Sequence, residues 1–457
     1  MEGYGARLGY RVETTPDGGV EIDPETLAEL AIDCLDELHR QVHAAGLRVS
    51  AVAACAFWHS FLGVGKNGRP VLPILHLLDT RSAAEVARVP NAHARTGCVP
   101  HSSYWPARLL WLETNRPEKF AATSRWLSFP EFLFEKLFGR AHASTSMVSG
   151  SGLWDQNAND YEPETLAALP IDRAQLAAPE DLDQPARELV PEYRAMWPAF
   201  EGVPWFPALG DGACDNLGSG CIAADRLALM VGTTGAMRVV IDAPRVTIPD
   251  KLWCYRVDRK RFVMGGALSN GGEVFAWMKR TLALPRDLEG RLESSSPGGH
   301  GLTVLPFFSG ERSPYWRSDL RAAIAGMSLA TEPFDILRAS LESVALRFRE
   351  IHGILSKNLP RPAEVIASGG ALLNSPGWTQ MMADALGRPV IACIEPEATS
   401  RGAALWALEQ IGTIENPSER PASMGAVFDP KPGHEAIYGR LLSEQSALYA
   451  KLFGTPL

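Results

Sequence analysis

Apolar and polar positions along this chain follow two different spacings, and the two spacings alternate. Behind Asp23-Pro24, a pair typical of a helix start, apolar side chains recur at helical spacing as far as Val42. The apolar run over residues 49–57 instead predicts a buried strand, which ends at Trp58-His59. Strands that alternate with helices predict an α/β fold.

The same alternation continues to the end of the chain. Residues 104–140 favour helix, with Trp111, Trp126 and Phe132 as core, and residues 160–200 favour an irregular surface crossing. The pattern of apolar and polar residues changes near residue 222, so we expect two domains, 1–222 and 223–457. In the second domain the predicted elements are a hairpin at 227–231 and 237–241, strands at 262–266, 302–308, 364–367 and 389–394, and helices at 272–280, 334–357, from 375 and at 400–411.

Composition narrows the class of protein. The 457 residues are 46% hydrophobic and 21% charged, which is typical of globular domains. A net charge of −9 without any block of Lys and Arg argues against a nucleic-acid partner. No run approaches about 18 consecutive apolar residues, and no basic segment precedes an apolar one at the start, so we expect neither a membrane span nor a secretory leader.

The cysteines give a further indication of the compartment. They stand at positions 34, 55, 98, 214, 221, 254 and 393, with no CxxC pair and no even framework. This distribution favours a reducing cytoplasm. Cys55 and His59 are four residues apart, but no further ligands follow at metal spacing, so we expect no zinc site there.

Three glycine turns follow predicted strands in the second half, at 232–235, 270–272 and 368–371. Glycine lets backbone N–H groups approach an anion closely, and a helix N-terminus adds a favourable dipole. None of these turns is a Walker loop or a clean GxGxxG. Together they favour a nucleotide site, although each alone is equally an ordinary connection.

Asp211 lies between two glycines, after an apolar strand predicted over 205–209. A carboxylate in this position can accept a proton from a hydroxyl nucleophile or hold Mg²⁺ through water. The alternative is an Asp that caps a helix or stabilises a turn. The sequence alone leaves both roles open.

Several side chains in the first half are suited to binding a polyol. His59 follows a strand and Trp58, the pair Asp79 and Arg81 can be presented from one loop, and Tyr104 can stack on a sugar ring. Each has a purely structural alternative as well. These alternatives are a core histidine, a surface ion pair and a core aromatic residue.

Together and in this order, these segments resemble the FGGY family of carbohydrate kinases, and within it the gluconate kinase branch. The most specific likeness covers 322–342, which matches the C-terminal signature of the family. The other similar segments are Phe57-Trp58-His59-Ser60, Asp79-Thr80-Arg81, 101–106, Gly210-Asp211-Gly212-Ala213, Gly232-Thr233-Thr234-Gly235, 309–314 and Ser368-Gly369-Gly370-Ala371 through Asn374. The likeness covers almost the whole chain.

The resemblance implies two actin-like, ribonuclease-H-like domains around a cleft, with sugar against the first domain and ATP against the second. It implies that Asp211 is the general base for a terminal hydroxyl and a ligand of Mg²⁺. It places the sugar or sugar acid at Trp58, His59, Asp79, Arg81 and Tyr104. It places the nucleotide at Gly232, Thr233, Thr234, Gly272, Gly310, Gly369, Gly370 and Asn374. A homodimer is compatible with the sequence, which does not fix the oligomeric state.

The chain also departs from the family. Arg108 stands where the N-terminal signature has Lys, and the Asp-x-Gly-Thr motif of the first phosphate-binding hairpin is absent. We therefore expect that the native protein is longer, and that this form has a marginal first domain and weak activity, because strands without partners leave backbone groups unpaired.

The sequence predicts ATP-dependent phosphorylation of gluconate to 6-phosphogluconate. A ketopentose such as xylulose is the alternative substrate. A catalytically impaired relative that still binds sugar is an alternative of another class, and the absent motif supports it. The match over 322–342 argues against an unrelated actin-like ATP-binding protein.

Overall fold

The computed structural model of the protein describes residues 3–179, 184–359 and 364–454. In the first half, short strands alternate with helices. They are β1 (Glu13–Thr14), β2 (Val20–Ile22), α1 (Pro24–Ala44), β3 (Cys55–Ala56), β4 (Leu62–Val64), β5 (Ile74–Leu75), α2 (His93–Thr96), α3 (Trp105–Asn115), α4 (Pro117–Ala122), β6 (Arg125–Leu127), α5 (Phe129–Phe138), α6 (Thr145–Ser149), β7 (Trp154–Asp155), β8 (Asp160–Tyr161), α7 (Pro163–Ala167), α8 (Pro191–Met196), β9 (Leu209–Gly210) and α9 (Asp211–Gly218).

The second half has longer strands. Its elements are β10 (Arg226–Val231), β11 (Gly235–Asp242), β12 (Trp253–Arg256), β13 (Arg261–Leu268), α10 (Gly272–Thr281), α11 (Leu288–Ser294), β14 (Thr303–Leu305), β15 (Ala323–Ala325), α12 (Pro333–Lys357), β16 (Glu364–Ser368), α13 (Gly370–Leu373), α14 (Pro376–Leu386), β17 (Val390–Cys393), α15 (Ala398–Gln410), β18 (Met424–Phe428) and α16 (His434–Phe453). Most of the predicted strands and helices of this half are therefore confirmed within a few residues at each end.

One seven-stranded sheet organises the second half, in the order β12-β13-β11-β10-β16-β17-β18. The predicted hairpin is confirmed, since β10 pairs antiparallel with β11, and β10 also pairs parallel with β16. The largest buried core of the protein joins this sheet to α12 and α14. Helix α12 is buried on all sides between residues 337 and 348, and its residues Leu337, Leu341 and Phe348 belong to this core.

The first half contains smaller pieces of sheet. β1, β2 and β5 form one three-stranded sheet, and β4 pairs antiparallel with β6. β3 pairs parallel with β9. Helix α1 begins as predicted, because Asp23 is its N-cap and accepts a hydrogen bond from the backbone N–H of Thr26.

Two expectations for the first half need correction. The segment 49–57 was predicted to be a buried strand, but most of its residues are only half-buried, and it forms ladder pairs only at Cys55–Ala56. The backbone hydrogen bonds that the structure shows for this segment run to one neighbouring segment, 204–210. Residues 104–140 are interrupted by β6, so the buried Trp126 belongs to a strand. Within the predicted surface segment, residues 180–183 lie outside the described ranges.

Helices α9 and α15 join the two halves at very close range. A Cβ atom on Gly218 would lie 1.7 Å from the carbonyl oxygen of Ala398, and one on Gly402 would lie 1.9 Å from that of Cys214. Only glycine permits such an approach of two backbones. In the described part of the chain, no helix is both long enough and apolar enough to cross a membrane.

Candidate active site

A cavity of about 410 Å³ lies between the two halves. From the first half it is lined by Trp58, His59, His76, Leu77, Leu78, Ser103, Tyr104, Asp211, Gly212 and Asp215. From the second half it is lined by Met230, Thr234, Gly235, Ala236, Arg238, Trp253, Tyr255, Ala267, Arg312, Trp316 and Thr399. Its size and its mixture of aromatic and polar side chains are typical of a small-molecule site.

Asp211 is the first residue of α9, and its side chain reaches the cavity. Its Oδ1 accepts a hydrogen bond of 2.7 Å from the backbone N–H of Gly212. Protein surrounds the carboxylate although solvent in the cavity reaches it, so desolvation raises the pKa of Asp211, while the charge of Arg238 works in the opposite direction. A carboxylate of raised pKa is a stronger base than an ordinary aspartate.

Two contacts fix the position of Asp211. The Arg238 guanidinium donates to the Gly212 carbonyl at 2.8 Å and to the Asp215 carboxylate at 3.0 Å, which holds the first turn of α9. On the other side, the Trp58 ring lies against Gly210, where a Cβ atom would come within 1.8 Å of it. Trp58 is itself fixed by a 2.9 Å bond from its Nε1–H to the carbonyl of Ser146.

His59 is held in an unusual backbone conformation, with a φ of 69°. Its Nδ1 lies 2.5 Å from the carbonyl oxygen of Gly150, so Nδ1 carries the proton and donates, which leaves the lone pair of Nε2 as an acceptor. Burial lowers the pKa of His59 to about 3, so the ring is neutral. Strained backbone at a binding position is typical of functional sites.

Arg108 is fully buried and connects the first-half loops that line the cavity. Its guanidinium donates to the carbonyls of Leu75 at 2.8 Å and His76 at 3.1 Å, and also to those of His59, Ser103 and Tyr104. Desolvation lowers the pKa of Arg108 to about 9, which leaves it charged at neutral pH. The residue that departs from the family signature therefore organises the cavity walls.

Arg312 differs from the other cavity arginine in its partners. Its Nη2 donates to the carbonyl of Leu268 at 3.1 Å, whereas its Nε is buried with no hydrogen-bond partner. Among the described residues it forms no ion pair, although Asp211 is close enough to affect its pKa. A buried cation with an unused donor is costly unless a ligand supplies the acceptor.

The structure does not bring every predicted sugar-binding residue to the cavity. Trp58, His59 and Tyr104 line it, and the Tyr104 hydroxyl lies 2.6 Å from that of Tyr255. Asp79 and Arg81 are not among its lining residues. They form a buried ion pair with each other, which Glu21 extends, and Asp79 also accepts from the backbone N–H of Val20.

The predicted glycine turns come together in space. The N–H of Gly272 donates to the carbonyl of Gly232 at 2.8 Å, and that of Glu273 donates to Thr233 at 3.0 Å. Gly369, with a φ of 88°, lies so close to β10 that a Cβ atom would be 2.4 Å from the Val231 carbonyl oxygen. Thr234 lines the cavity.

The remaining nucleotide candidates flank these turns. Gly310 is held by Asn270, whose side-chain N–H donates to its carbonyl at 2.7 Å. Gly370 opens the short helix α13, and its open side faces only Asn374, whose Nδ2 would lie 3.5 Å from an added Cβ atom. Residues from four separate segments therefore form one surface at the ends of the central strands.

Sequence reasoning missed several lining residues, notably Arg238, Tyr255 and Trp316. Arg238 and Tyr255 lie within strands, where an apolar pattern gives no sign of chemistry. The sequence does carry a signal for Arg312, because this residue belongs to the segment 309–314 that contributes to the family resemblance.

Comparison with known proteins agrees with this geometry. Models of the N-terminal and C-terminal domains of the FGGY family of carbohydrate kinases match residues 5–218 and 227–410. A gluconokinase from Bacillus subtilis is 25% identical over 444 residues, which cover 93% of this chain and 86% of that protein.

Solved structures confirm the expected two-domain fold. A gluconate kinase from Lactobacillus acidophilus superposes with a TM-score of 0.89 at 24% identity, covering 97% of this chain and 92% of that one. A ligand-bound xylulose kinase from the same organism superposes with a TM-score of 0.90 at 24% identity, covering 98% and 93%. The protein thus has the fold of these two-domain structures, with the cavity between its two halves.

The chain belongs to the FGGY family of carbohydrate kinases, and it is therefore a phosphotransferase that acts on small-molecule sugars. Members of this family use ATP as the phosphate donor, typically with Mg²⁺. Mg²⁺ is usually bound by one or two carboxylates together with phosphates and water. Asp211 and Asp215 both line the cavity and fit this requirement, and the described residues contain no group of three or more metal-binding side chains.

Proposed function

We propose that this enzyme transfers the γ-phosphate of ATP to the terminal hydroxyl of a sugar acid, and that the substrate is gluconate. One observation carries the proposal: the cavity that holds the carboxylate of Asp211 also holds the unpaired cation of Arg312. The first group suits proton removal from a hydroxyl, and the second suits a substrate carboxylate. The similarity to a gluconokinase of Bacillus subtilis supports the same substrate.

Asp211 acts as general base in this proposal. Its raised pKa increases its affinity for the hydroxyl proton, whereas the charge of Arg238 favours the ionised form that accepts this proton. Phosphoryl transfer depends mainly on positioning and on charge stabilisation, so the fixed first turn of α9 is as important as the base itself.

Neutral groups would bind the hydroxyls of the substrate. Nε2 of His59 is available as an acceptor, and the hydroxyl pair of Tyr104 and Tyr255 offers donors and acceptors together. The ring of His59 contacts the rings of both tyrosines edge to face. Asp79 and Arg81 would act indirectly, by supporting the loop that carries His76 and Leu78.

The nucleotide would bind along the glycine turns, with Thr233 and Thr234 at the phosphates and Gly370 and Asn374 near the adenosine. Several backbones approach each other closely there, and the open side of Gly370 leaves room for a ligand. Asp211 and Asp215 would hold Mg²⁺, which supplies charge stabilisation for the transferred phosphate.

A neutral ketopentose such as xylulose is the second candidate, and the neutral ring of His59 favours it. An assay of ADP release over gluconate, xylulose and glycerol separates the two. We expect the highest kcat/KM with gluconate. Turnover of xylulose without turnover of gluconate would show that the substrate assignment is wrong, and absence of ADP release with every sugar would favour the impaired relative.

Arg312→Gln tests the role of the unpaired cation. If Arg312 binds the carboxylate, KM for gluconate should rise about 10- to 100-fold, the value of one charge-assisted hydrogen bond. KM for neutral sugars should change little. Arg69→Gln, at an exposed position, is the matched control. An equal fall of kcat for all sugars would instead place Arg312 at the phosphate.

A further inference from the structure

Arg312 lies in a segment, 309–317, whose backbone is attached to the central sheet of the second half. The N–H of Ser313 donates to the carbonyl of Ala267 at 2.9 Å, and the N–H of Ala267 donates to the Ser313 hydroxyl oxygen at 3.1 Å. Ala267 belongs to β13 and lines the cavity, as Arg312 does. The segment therefore lies against β13 at the wall of the cavity.

The same segment contacts a buried cluster of charges that does not line the cavity. The Arg347 guanidinium of α12 donates from Nη2 to the Glu311 carboxylate at 2.7 Å, and its Nη1 lies 2.9 Å from the carboxylate of Glu350. The Tyr315 hydroxyl donates to Glu350 as well. The cluster thus holds the chain one residue before Arg312 and three residues after it.

A gain in stability does not explain this cluster. The side chains of Glu311 and Arg347 are both buried, and the cost of burying two charges is often as large as the attraction between them. Oε2 of Glu311 and Nε of Arg347 also have no hydrogen-bond partner among the described residues, which adds to that cost. What the cluster does supply is a fixed position for the residues on both sides of Arg312.

We propose that Glu311 and Arg347 are positioning residues for Arg312, and that their ion pair sets the preference of the enzyme for a sugar acid over a neutral sugar. The inference rests on the proposed function, in which Arg312 binds the substrate carboxylate. An arginine binds a carboxylate strongly only when its N–H groups meet the oxygens in the correct geometry. Because Glu311 directly precedes Arg312, a shift of Glu311 moves the backbone that carries this guanidinium.

The charges around Glu311 determine the conditions of the test. Burial raises the pKa of Glu311 to about 7, while the charge of Arg347 lowers it and that of Glu350 raises it further. The carboxylate is fully ionised only above this value, so the variants should be compared at about pH 8. Glu311→Gln then removes one charge of the cluster, and Glu350 still compensates Arg347, which favours a folded variant.

Steady-state kinetics with gluconate and calorimetry with xylulose test the positioning role. Glu311→Gln should raise KM for gluconate by about 3- to 10-fold, with kcat and the Kd for xylulose almost unchanged. The rise should vanish in combination with Arg312→Gln, because no cation is then left to position. Glu444→Gln, which removes an exposed ion pair with Arg440 on α16, is the matched control and should behave like the parent.

Hydrogen exchange in the segment 309–317 gives a second readout, which needs no kinase activity. The N–H groups of Ser313 and Trp316 are hydrogen-bonded to backbone carbonyls, so Glu311→Gln should speed their exchange, whereas Glu444→Gln should not. Tyr315→Phe removes only the hydrogen bond to Glu350 and should have a smaller effect of the same kind. It supplies both readouts if Glu311→Gln does not fold.

The inference is wrong if exchange in the segment is unchanged in the folded variant, if gluconate and xylulose are weakened equally, or if the effect of Glu311→Gln persists in combination with Arg312→Gln. An unchanged KM for gluconate in Arg312→Gln alone would instead contradict the proposed function. The exchange measurement would then still decide whether Glu311 holds the segment in place.

Discussion

In the second half of the chain, the loops that reach the cavity leave a continuous seven-stranded sheet, whereas in the first half they leave strands of two or three residues. The central strand β10 has hydrogen-bonded partners on both sides. The segment 49–57 shows such bonds on one side, toward 204–210. The two halves form one cavity, yet they position its walls by different means.

In the first half, side chains hold the cavity loops in position, whereas backbone hydrogen-bond ladders do so in the second half. Arg108 ties together the carbonyls of three cavity loops, and the Trp58 ring on Gly210 sets the start of α9. A ladder distributes its hydrogen bonds over many residues, so the loss of one side chain is tolerated. A single buried guanidinium concentrates them, so we expect single substitutions to do more damage in the first half.

Asp211 lies where the two halves meet, and its substitution should have the largest effect. Asp211→Asn keeps the shape but removes the proton acceptor, so turnover should fall by about 10²–10⁴-fold while sugar binding survives. Stability should not fall. Desolvation raises the folded-state pKa of Asp211, so its ionised form at neutral pH adds no stability to the fold, and solvent in the cavity keeps the corresponding cost small.

Coupled assays and thermal unfolding of both forms check this prediction, and pH supplies the control. The base acts only when ionised, so turnover of the parent should fall with decreasing pH at a value above the ordinary aspartate pKa of 3.8. Asp211→Asn should lose this limb of the profile. If the turnover of the variant lies within a few-fold of that of the parent, Asp211 is not the general base and has only a structural role.

The sequence predicted the second half better than the first, for a physical reason. Strands such as β10 and β13 are buried on both faces and flanked by glycine turns, so they read as short apolar runs. In the first half, the apolar run at 49–57 predicted a buried strand, but apolar character does not show whether a partner strand is present on each side.

The sequence also could not predict which side chains become partners across the fold. Asp79 and Arg81 were expected at the sugar, and nothing in their spacing indicated that Glu21 would join them in a buried ion pair outside the cavity. Such contacts depend on long-range topology, whereas glycine turns and helix caps depend on local sequence and were predictable.

Arg108→Met should be the most damaging substitution for stability. It removes the donor for several buried carbonyls, each of which costs about 1–3 kcal/mol when unpaired, so the free energy of unfolding should fall by more than about 3 kcal/mol. Urea denaturation followed by tryptophan fluorescence measures this. Arg69→Met, exposed on the same half, should change stability by less than about 0.5 kcal/mol. Equal behaviour of the two variants would contradict the role of Arg108.

Gly210→Ala tests the contact between Trp58 and the start of α9. The added methyl group would overlap the Trp58 ring, so overpacking should cost about 1–3 kcal/mol and reduce turnover. Gly353→Ala, in α12, is the matched control, because an added Cβ atom meets nothing there within 4 Å and alanine favours helix. The midpoint of thermal unfolding should therefore fall for Gly210→Ala and rise for Gly353→Ala. A shift of both midpoints in the same direction would show that the contact between Gly210 and Trp58 does not determine stability here.

Hydrogen exchange should show the smallest difference, and it compares the two halves without any substitution. Amides in β10 lie between two hydrogen-bonded neighbours, so their exchange requires opening of the central sheet. Amides at 51–56 are bonded toward 204–210 alone, and the segment is half-buried, so a local opening suffices to expose them. We expect the first-half segment to exchange well before β10 in native-state mass spectrometry, and a saturating sugar to slow it, because Trp58 and His59 follow directly. Equal protection of the two segments would mean that the one-sided pairing does not weaken the first half, and the expectation of a marginal first domain would then lose its physical basis.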